Sequence, residues 1–93
     1  MGFNRDSYAA RIKDLRKSRG LTQEQLAEKV NVTSTYIVKI ENGQRTGSIE
    51  FSVDLANCFG VSLDYLLLGK EVENKKQILQ RVISFLSELE AEL

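Results

Sequence analysis

The sequence predicts an all-α fold, a compact bundle of five helices followed by a C-terminal amphipathic helix. Apolar residues recur at spacings of three and four through most of the 93-residue chain. Ser or Thr stands before most of these periodic segments, and Gly follows several of them, as expected for helix caps. No stretch alternates apolar and polar residues for long enough to indicate a strand.

The first two helices are separated by a glycine. The first is predicted to begin at an N-cap at Asp6 or Ser7 and to end at Gly20, because glycine best accepts the left-handed backbone of a C-terminal cap. Thr22, with Gln25 three residues later, matches a capping box and opens the second helix. Both helices are expected to contribute an apolar face to the core.

The second helix is interrupted at Asn31, without proline or glycine. Asparagine tolerates a positive φ better than most residues, so Asn31 is expected to turn the chain. Thr33 can then cap a third helix that runs to Asn42 and is closed by Gly43. One side of this helix is apolar. The opposite arc suits the reading of base edges in a DNA groove, since it carries short hydroxyls, a small apolar group, a cation and an amide: Ser34, Thr35, Val38, Lys39 and Asn42.

Two further helices complete the predicted bundle. Ser48 can cap the fourth, and Ser62 can cap a short fifth helix that ends at Gly69. One domain is therefore expected over residues 1–69. Residues 70–93 are expected to form a linker and a final helix.

The final helix is predicted to have an apolar arc of roughly 140–160°, which is wider than one packing contact needs. We expect it to pack on its own domain and also against a second chain, which predicts a homodimer. The alternative is a helix that only completes a monomeric core. The residues predicted in the dimer interface are Leu66, Leu67, Leu68, Ile78, Val82, Phe85, Leu86 and Leu89.

Composition excludes several classes of protein. No apolar run reaches the roughly 18 residues of a membrane span, and the polar start lacks the apolar centre of a signal peptide, so a cytoplasmic protein without membrane contact is expected. The chain has no histidine, and its one cysteine, Cys58, is expected to be a buried thiol rather than a redox sensor. Without a phosphate-cradling glycine loop as well, we expect no enzyme, no cofactor and no metal site.

The zero net charge conceals an uneven distribution. Residues 1–47 carry nine bases and five acids, a surplus of four, whereas residues 48–93 carry four bases and eight acids, a deficit of four. A basic amino-terminal half indicates a polyanion partner on that side. Chance scatter of solvated charges is the alternative explanation.

Three segments carry a resemblance to a known family: IKDLRKSRGLTQEQLAEKV, STYIVKIENG and LANCFGVSLDYLLLG. Their combined spacing is highly specific, and over about residues 8–69 the chain resembles the Cro/cI-type (xenobiotic-response-element type) helix-turn-helix regulators of phages and bacteria. The resemblance implies a lambda-repressor-like bundle of about five helices in which the third enters the major groove of double-stranded DNA.

Site residues follow from the resemblance, position by position. It implies base contacts from Ser34, Thr35, Val38 and Lys39. Arg16 resembles an arginine that pairs with the glutamate of the ENG motif, here Glu41, while facing a phosphate. Gln23 resembles a glutamine that contacts phosphate and braces the recognition helix. Backbone contacts are implied for Arg16, Gln23, Asn42, Gln44 and Arg45. The family usually has glycine at the turn, where this chain has Asn31.

Each assignment has a structural alternative. Ser34 and Thr35 suit the first turn of any helix, a lysine such as Lys39 is often only solvated, and Arg16 with Glu41 can be only an ion pair between helices.

The function that these features predict is a transcriptional regulator, a repressor, that binds a pseudo-palindromic operator as a homodimer. The alternative is an activator of transcription, in which an acidic surface patch contacts polymerase. A rival function is a protein-interaction module, similar to an antitoxin or antirepressor, whose C-terminal helix binds a protein partner and whose DNA binding is weak.

Overall fold

The computed structural model describes the backbone of residues 2–70 and 75–92 and the side chains of residues 2–70 and 79–91. Regular structure within these ranges is entirely helical, which confirms the predicted all-α fold. The helices are α1 (Arg5–Ser18), α2 (Gln23–Lys29), α3 (Ser34–Glu41), α4 (Ile49–Phe59), α5 (Leu63–Leu68) and α6 (Lys75–Glu92).

Hydroxyl side chains cap four of the helices as predicted. In each case the hydroxyl oxygen accepts a hydrogen bond from the backbone N–H three residues later, at 3.0–3.1 Å. This bond satisfies an N–H that has no partner inside the helix. The capping residues are Thr22, Thr33, Ser48 and Ser62.

The predicted start of α1 is wrong. The N-cap is Asn4, whose side-chain oxygen accepts from the Ser7 N–H at 2.9 Å, so Asp6 and Ser7 lie inside the helix. Phe3 precedes the cap, and its ring packs on that of Tyr8 with centroids 5.2 Å apart. An aromatic pair across the cap in these positions is a hydrophobic staple, which fixes the direction in which the chain enters the helix.

One hydrophobic core joins α1 to α5. Its members come from every one of these helices, and Ile12, Ile37 and Leu55 among them have no exposed surface. The small Ala27 on α2 is also buried, which agrees with a close approach of α2 to α3. The core residues are Tyr8, Ile12, Leu15, Leu26, Ala27, Val30, Ile37, Ile40, Phe51, Leu55, Ala56, Phe59 and Leu66.

Helix α6 does not share this core over its described side chains. Every residue from 79 to 91 is exposed, so over these residues the expectation that the helix packs on its own domain is wrong. The predicted linker falls largely on residues 71–74, which lie outside the described residues. Among the residues that the structure describes, no helix combines the length and hydropathy needed to cross a bilayer.

Candidate nucleic-acid interface

The turn between α2 and α3 is defined by hydrogen bonds of the backbone. Asn31 has φ of 56°, and it is the one non-glycine residue with positive φ in the described chain. Its N–H donates to the Glu28 carbonyl at 3.4 Å, and the Val32 N–H donates to the Ala27 carbonyl at 3.0 Å. This pair of bonds forms a Schellman motif, in which a left-handed residue closes a helix. Asn31 therefore turns the chain as predicted.

The rotation of α3 about its axis follows from its buried side. Ile37 and Ile40 are completely buried, which directs the opposite side of the helix away from the core. Thr35 and Val38 are exposed on that outer side, Val38 by 37%, while Ser34 and Lys39 are half-buried beside them. Hydroxyls can donate or accept hydrogen bonds at base edges, a small apolar group can contact the thymine methyl, and a lysine can donate to guanine.

A buried ion pair connects α1 to α3. Arg16 donates to both carboxylate oxygens of Glu41, from Nε at 2.7 Å and from Nη2 at 3.0 Å. The two side chains are only 10% and 2% exposed. Arg16 Nη1 also donates to the Leu21 carbonyl at 2.8 Å, and Gln23 Nε2 donates to Glu41 Oε1 at 3.1 Å. This cluster of Arg16, Gln23 and Glu41 therefore connects the first three helices at the C-terminal end of α3.

The cluster contains the predicted ion pair, and it includes Gln23, which was expected to brace α3. The amide of Gln23 braces α3 through Glu41, and the guanidinium of Arg16 is largely enclosed by protein acceptors. Both contacts hold the outer face of α3 at a fixed angle. Direct contact of Arg16 and Gln23 with a DNA phosphate stays a prediction.

The loop after α3 presents the remaining predicted contacts. Asn42, Gln44 and Arg45 are all exposed next to the C-terminal end of α3. Gly43, with φ of 76°, closes that helix: its own N–H donates to the Ile40 carbonyl at 3.1 Å, and the Gln44 N–H donates to the Lys39 carbonyl at 2.9 Å. The loop is thereby anchored to α3, and its polar side chains face solvent.

A buried hydrogen bond that sequence analysis missed supports this loop from the other side. The Tyr8 hydroxyl lies 2.8 Å from Ser52 Oγ and donates to the Thr46 carbonyl at 3.2 Å. Burial raises the pKa of the Tyr8 phenol, an effect that the Ser52 hydrogen bond partly opposes. A tyrosine at a core position needs a partner for its hydroxyl, which was the available signal, but the sequence does not identify that partner.

Two arginines counted in the basic half have structural roles instead. Arg11 donates from Nε and Nη2 to the Leu66 and Leu67 carbonyls, both at 3.0 Å. Arg19 donates to the Phe59 carbonyl at 2.6 Å. These bonds satisfy carbonyls at the C-terminal ends of α5 and α4. Together with Arg16, they reduce the number of cations that a polyanion can engage directly.

The predicted dimer interface is only partly exposed. Leu66 has no exposed surface, so its assignment to the interface is wrong: the side chain belongs to the hydrophobic core. Leu67 is half-buried and packs against the core, whereas Leu68 is exposed. On α6, exposure is high at Val82, Phe85, Leu86 and Leu89. The side chain of Ile78 lies outside the described residues.

A helix-turn-helix family model, HTH_3, matches residues 12–66 of the chain. The match includes the second half of α1, all of α2 and α3, the turn at Asn31 and the loop that follows α3. It therefore coincides with the surface on which the predicted contacts lie.

Relatives and solved structures agree with this match. The chain is 30% identical to the uncharacterized HTH-type transcriptional regulator YqaE of Bacillus subtilis, over 92% of this chain and 78% of YqaE. It is 34% identical to the HTH-type transcriptional regulator ImmR of B. subtilis over 76% of this chain, and the match covers 56% of the length of ImmR. The P22 c2 repressor, solved with a synthetic operator, superposes with a TM-score of 0.65 at 28% identity, over 68% of this chain and 96% of that one.

Proposed function

The chain belongs to the helix-turn-helix family HTH_3, and from that premise we propose that it is a sequence-specific regulator of transcription, a repressor that binds double-stranded DNA. The observation that carries the proposal is the outer face of α3. Its exposed and half-buried polar groups, with Val38, are held at a fixed rotation by buried Ile37 and Ile40 on the inner side. A surface that reads base edges needs such a rigid support, because a base contact depends on orientation within a narrow range.

In the proposed complex, α3 lies in the major groove. Ser34, Thr35, Val38 and Lys39 contact base edges there and determine sequence preference. Asn42, Gln44 and Arg45 contact phosphates beside the groove, which determines register and adds affinity without adding sequence information. Occupation of a promoter by this complex excludes polymerase, and that is the proposed mechanism of repression.

The regulator is proposed to act as a homodimer. The P22 c2 repressor supports the proposal that this chain binds DNA, since that repressor was solved in complex with a synthetic operator. Two copies related by a two-fold axis place two α3 helices in successive major grooves, about 34 Å apart, and so require a pseudo-palindromic site. The exposed apolar residues of α6 support contact with a second chain, because a large exposed apolar patch is typical of an interaction site.

Alanine substitutions on α3 test the proposal. Thr35→Ala and Lys39→Ala are expected to weaken binding to a duplex selected by the wild-type protein by about 1–3 kcal/mol, or roughly 5- to 150-fold. Binding to a random duplex should weaken much less, since phosphate contacts remain. Fluorescence anisotropy at near-physiological salt measures both affinities.

The matched control is Lys70→Ala, which removes an exposed cation that lies after α5 and outside the helix-turn-helix unit. Its affinity for the selected duplex should stay close to that of the wild type. Circular dichroism confirms that each variant is folded. Folded variants of Thr35 and Lys39 that bind the selected duplex as tightly as the wild type would contradict the proposed role of α3.

A further inference from the structure

Helix α6 carries an apolar face that its own domain does not cover. Leu79, Val82, Phe85, Leu86 and Leu89 are each between 44% and 60% exposed. We refer to these five residues as the α6 face. Most helical stability in proteins comes from packing of an apolar side, and α6, with 18 residues, has no such packing over its described side chains. The α6 face therefore requires a partner.

The charges along α6 run against the helix dipole. The first half contains the bases Lys75, Lys76 and Arg81, and the second half contains the acids Glu88, Glu90 and Glu92. No acid lies in the first turn and no base in the last. A helix that is stable by itself has the opposite arrangement, since its N-terminus is partially positive and its C-terminus partially negative. The order of charges thus disfavours a solitary helix, and it favours contact with a second helix of opposite direction.

We propose that α6 pairs antiparallel with α6 of a second copy of this chain. The inference rests on the proposed dimeric function and specifies how that dimer is held. If Val82 and Leu89 are assigned to the a positions of a heptad, Phe85 falls at d, Leu79 and Leu86 fall at e, and Arg81 and Glu88 fall at g. Arg81, Phe85 and Glu88 line one shallow depression on the surface of α6. This agrees with Arg81 and Glu88 lying on the same side of the helix.

The antiparallel register brings complementary groups together. Val82 packs in one layer with the partner's Phe85, and the two-fold axis repeats that layer. Leu79 meets the partner's Leu86 on one flank, which extends the apolar contact. On the other flank Arg81 meets the partner's Glu88, and Glu88 meets the partner's Arg81. Both ion pairs lie at the rim of the layers, where they select orientation more than they add stability.

A parallel pair has none of these advantages. It would place the basic half of one helix beside the basic half of the other, and the acidic halves likewise, and like charges repel each other. The antiparallel pair also separates the starting ends of the two α6 helices by about 25 Å, at 1.5 Å per residue. That separation leaves room for two DNA-binding domains at opposite ends of the pair, as two half-sites require.

Charge exchange between positions 81 and 88 tests the pairing. In the full chain without DNA, Arg81→Glu and Glu88→Arg should each weaken dimerisation roughly tenfold, because each replaces two attractive contacts by two repulsive ones. Both positions lie outside the first and last turns of α6, where the helix dipole acts, so a change in dimerisation reports the contact between the two chains rather than the dipole. Sedimentation equilibrium measures the dimer dissociation constant.

Mixing the two variants provides the most direct test of the proposed contacts. An Arg81→Glu chain and a Glu88→Arg chain, paired antiparallel, restore opposite charges at both contacts, so the mixture should form heterodimers more tightly than either variant forms homodimers. The double variant R81E/E88R should return to a dissociation constant near that of the wild type. Heterodimers no tighter than the homodimers, or a wild-type chain that stays monomeric at high concentration, would overturn the proposal.

A distance measurement shows whether the two α6 helices are parallel or antiparallel, independently of the charge substitutions. A spin label on Ala91→Cys, in a Cys58→Ser background, should give a separation of about 25 Å between the two labels in the antiparallel pair. A separation of about 10 Å would show a parallel pair and overturn the register. Neither experiment contains DNA. A failure of this pairing is thus distinguishable from a failure of DNA binding by α3, which the alanine variants report.

Discussion

Substitution of Glu41 by glutamine should destabilise the domain severely. The change keeps the shape of the side chain and removes its charge, so it leaves the guanidinium of Arg16, only 10% exposed, without a counter-ion. Two bonds from Arg16 and one from Gln23 converge on this carboxylate. A glutamine with its carbonyl oxygen at the Oε1 position can accept from Arg16 Nη2 and Gln23 Nε2, but its amide group then faces Arg16 Nε.

The magnitude follows from the burial of the pair. Removing one partner of a buried ion pair costs about 3–5 kcal/mol, and because glutamine retains one acceptor we expect about 3 kcal/mol. With an m value of about 1 kcal/mol/M for so small a domain, the midpoint of urea unfolding should fall by about 3 M. Total stabilities begin near 5 kcal/mol, so the variant should remain folded without urea and unfold early in the titration.

A double-mutant cycle separates the ion pair from the packing around it. Arg16→Met and Glu41→Met should each destabilise strongly, whereas the double variant should lose far less than the sum of the two, because no buried charge is then left without its partner. Circular dichroism at increasing urea gives all four stabilities. If Glu41→Gln unfolds within about 0.5 kcal/mol of the wild type, the range of ordinary surface substitutions, the reasoning on burial is refuted.

Substitutions at three further positions test other parts of the fold. Tyr8→Phe should cost about 1–2 kcal/mol because it leaves the buried Ser52 hydroxyl without its partner; an equally stable variant in urea unfolding would contradict this. Since the pKa of Tyr8 is raised, the unfolded chain releases that proton first, so stability of the wild type should fall as pH rises above about 10, and Tyr8→Phe should lack this contribution. Asn31→Ala should cost about 1 kcal/mol and Asn31→Gly should cost nothing or stabilise, because φ there is 56°; equal melting temperatures for the two variants would refute the strain. Gly47→Ala should cost about 2 kcal/mol, since φ is 80° and a Cβ would lie 2.5 Å from Cδ2 of Phe51, and thermal unfolding that matches the wild type would count against this contact.

Local features of the fold could be predicted from the sequence. The caps at Thr22, Thr33, Ser48 and Ser62 depend on residues only three positions apart, so their spacing is visible in the chain itself. The rotation of α3 follows equally from local periodicity, which placed Ile37 and Ile40 on the buried side.

The start of α1 was missed because its first three residues are polar. Arg5, Asp6 and Ser7 are all exposed, so the apolar periodicity begins one turn later than the helix. The staple of Phe3 on Tyr8 across Asn4 was the signal that could have revealed the earlier cap.

Contacts between distant residues could not be predicted. The bond of Tyr8 to Ser52 joins residues 44 positions apart, and that of Arg11 to the Leu66 carbonyl joins residues 55 positions apart. Pattern alone gives no register between such segments. The same reason explains the error at Leu66: three consecutive leucines have the same hydropathy, and only packing distinguishes the buried one from exposed Leu68.

The proposed function depends most directly on the reading of DNA by α3. Bound duplexes should be selected from a randomised pool with the full chain at near-physiological salt and then sequenced. We expect enrichment of two symmetric half-sites with centres about 10 base pairs apart, as two α3 helices on one face of the duplex require. A pool without any enriched motif, with retention that vanishes as salt is added, would show contacts to the phosphate backbone alone and contradict a sequence-specific regulator.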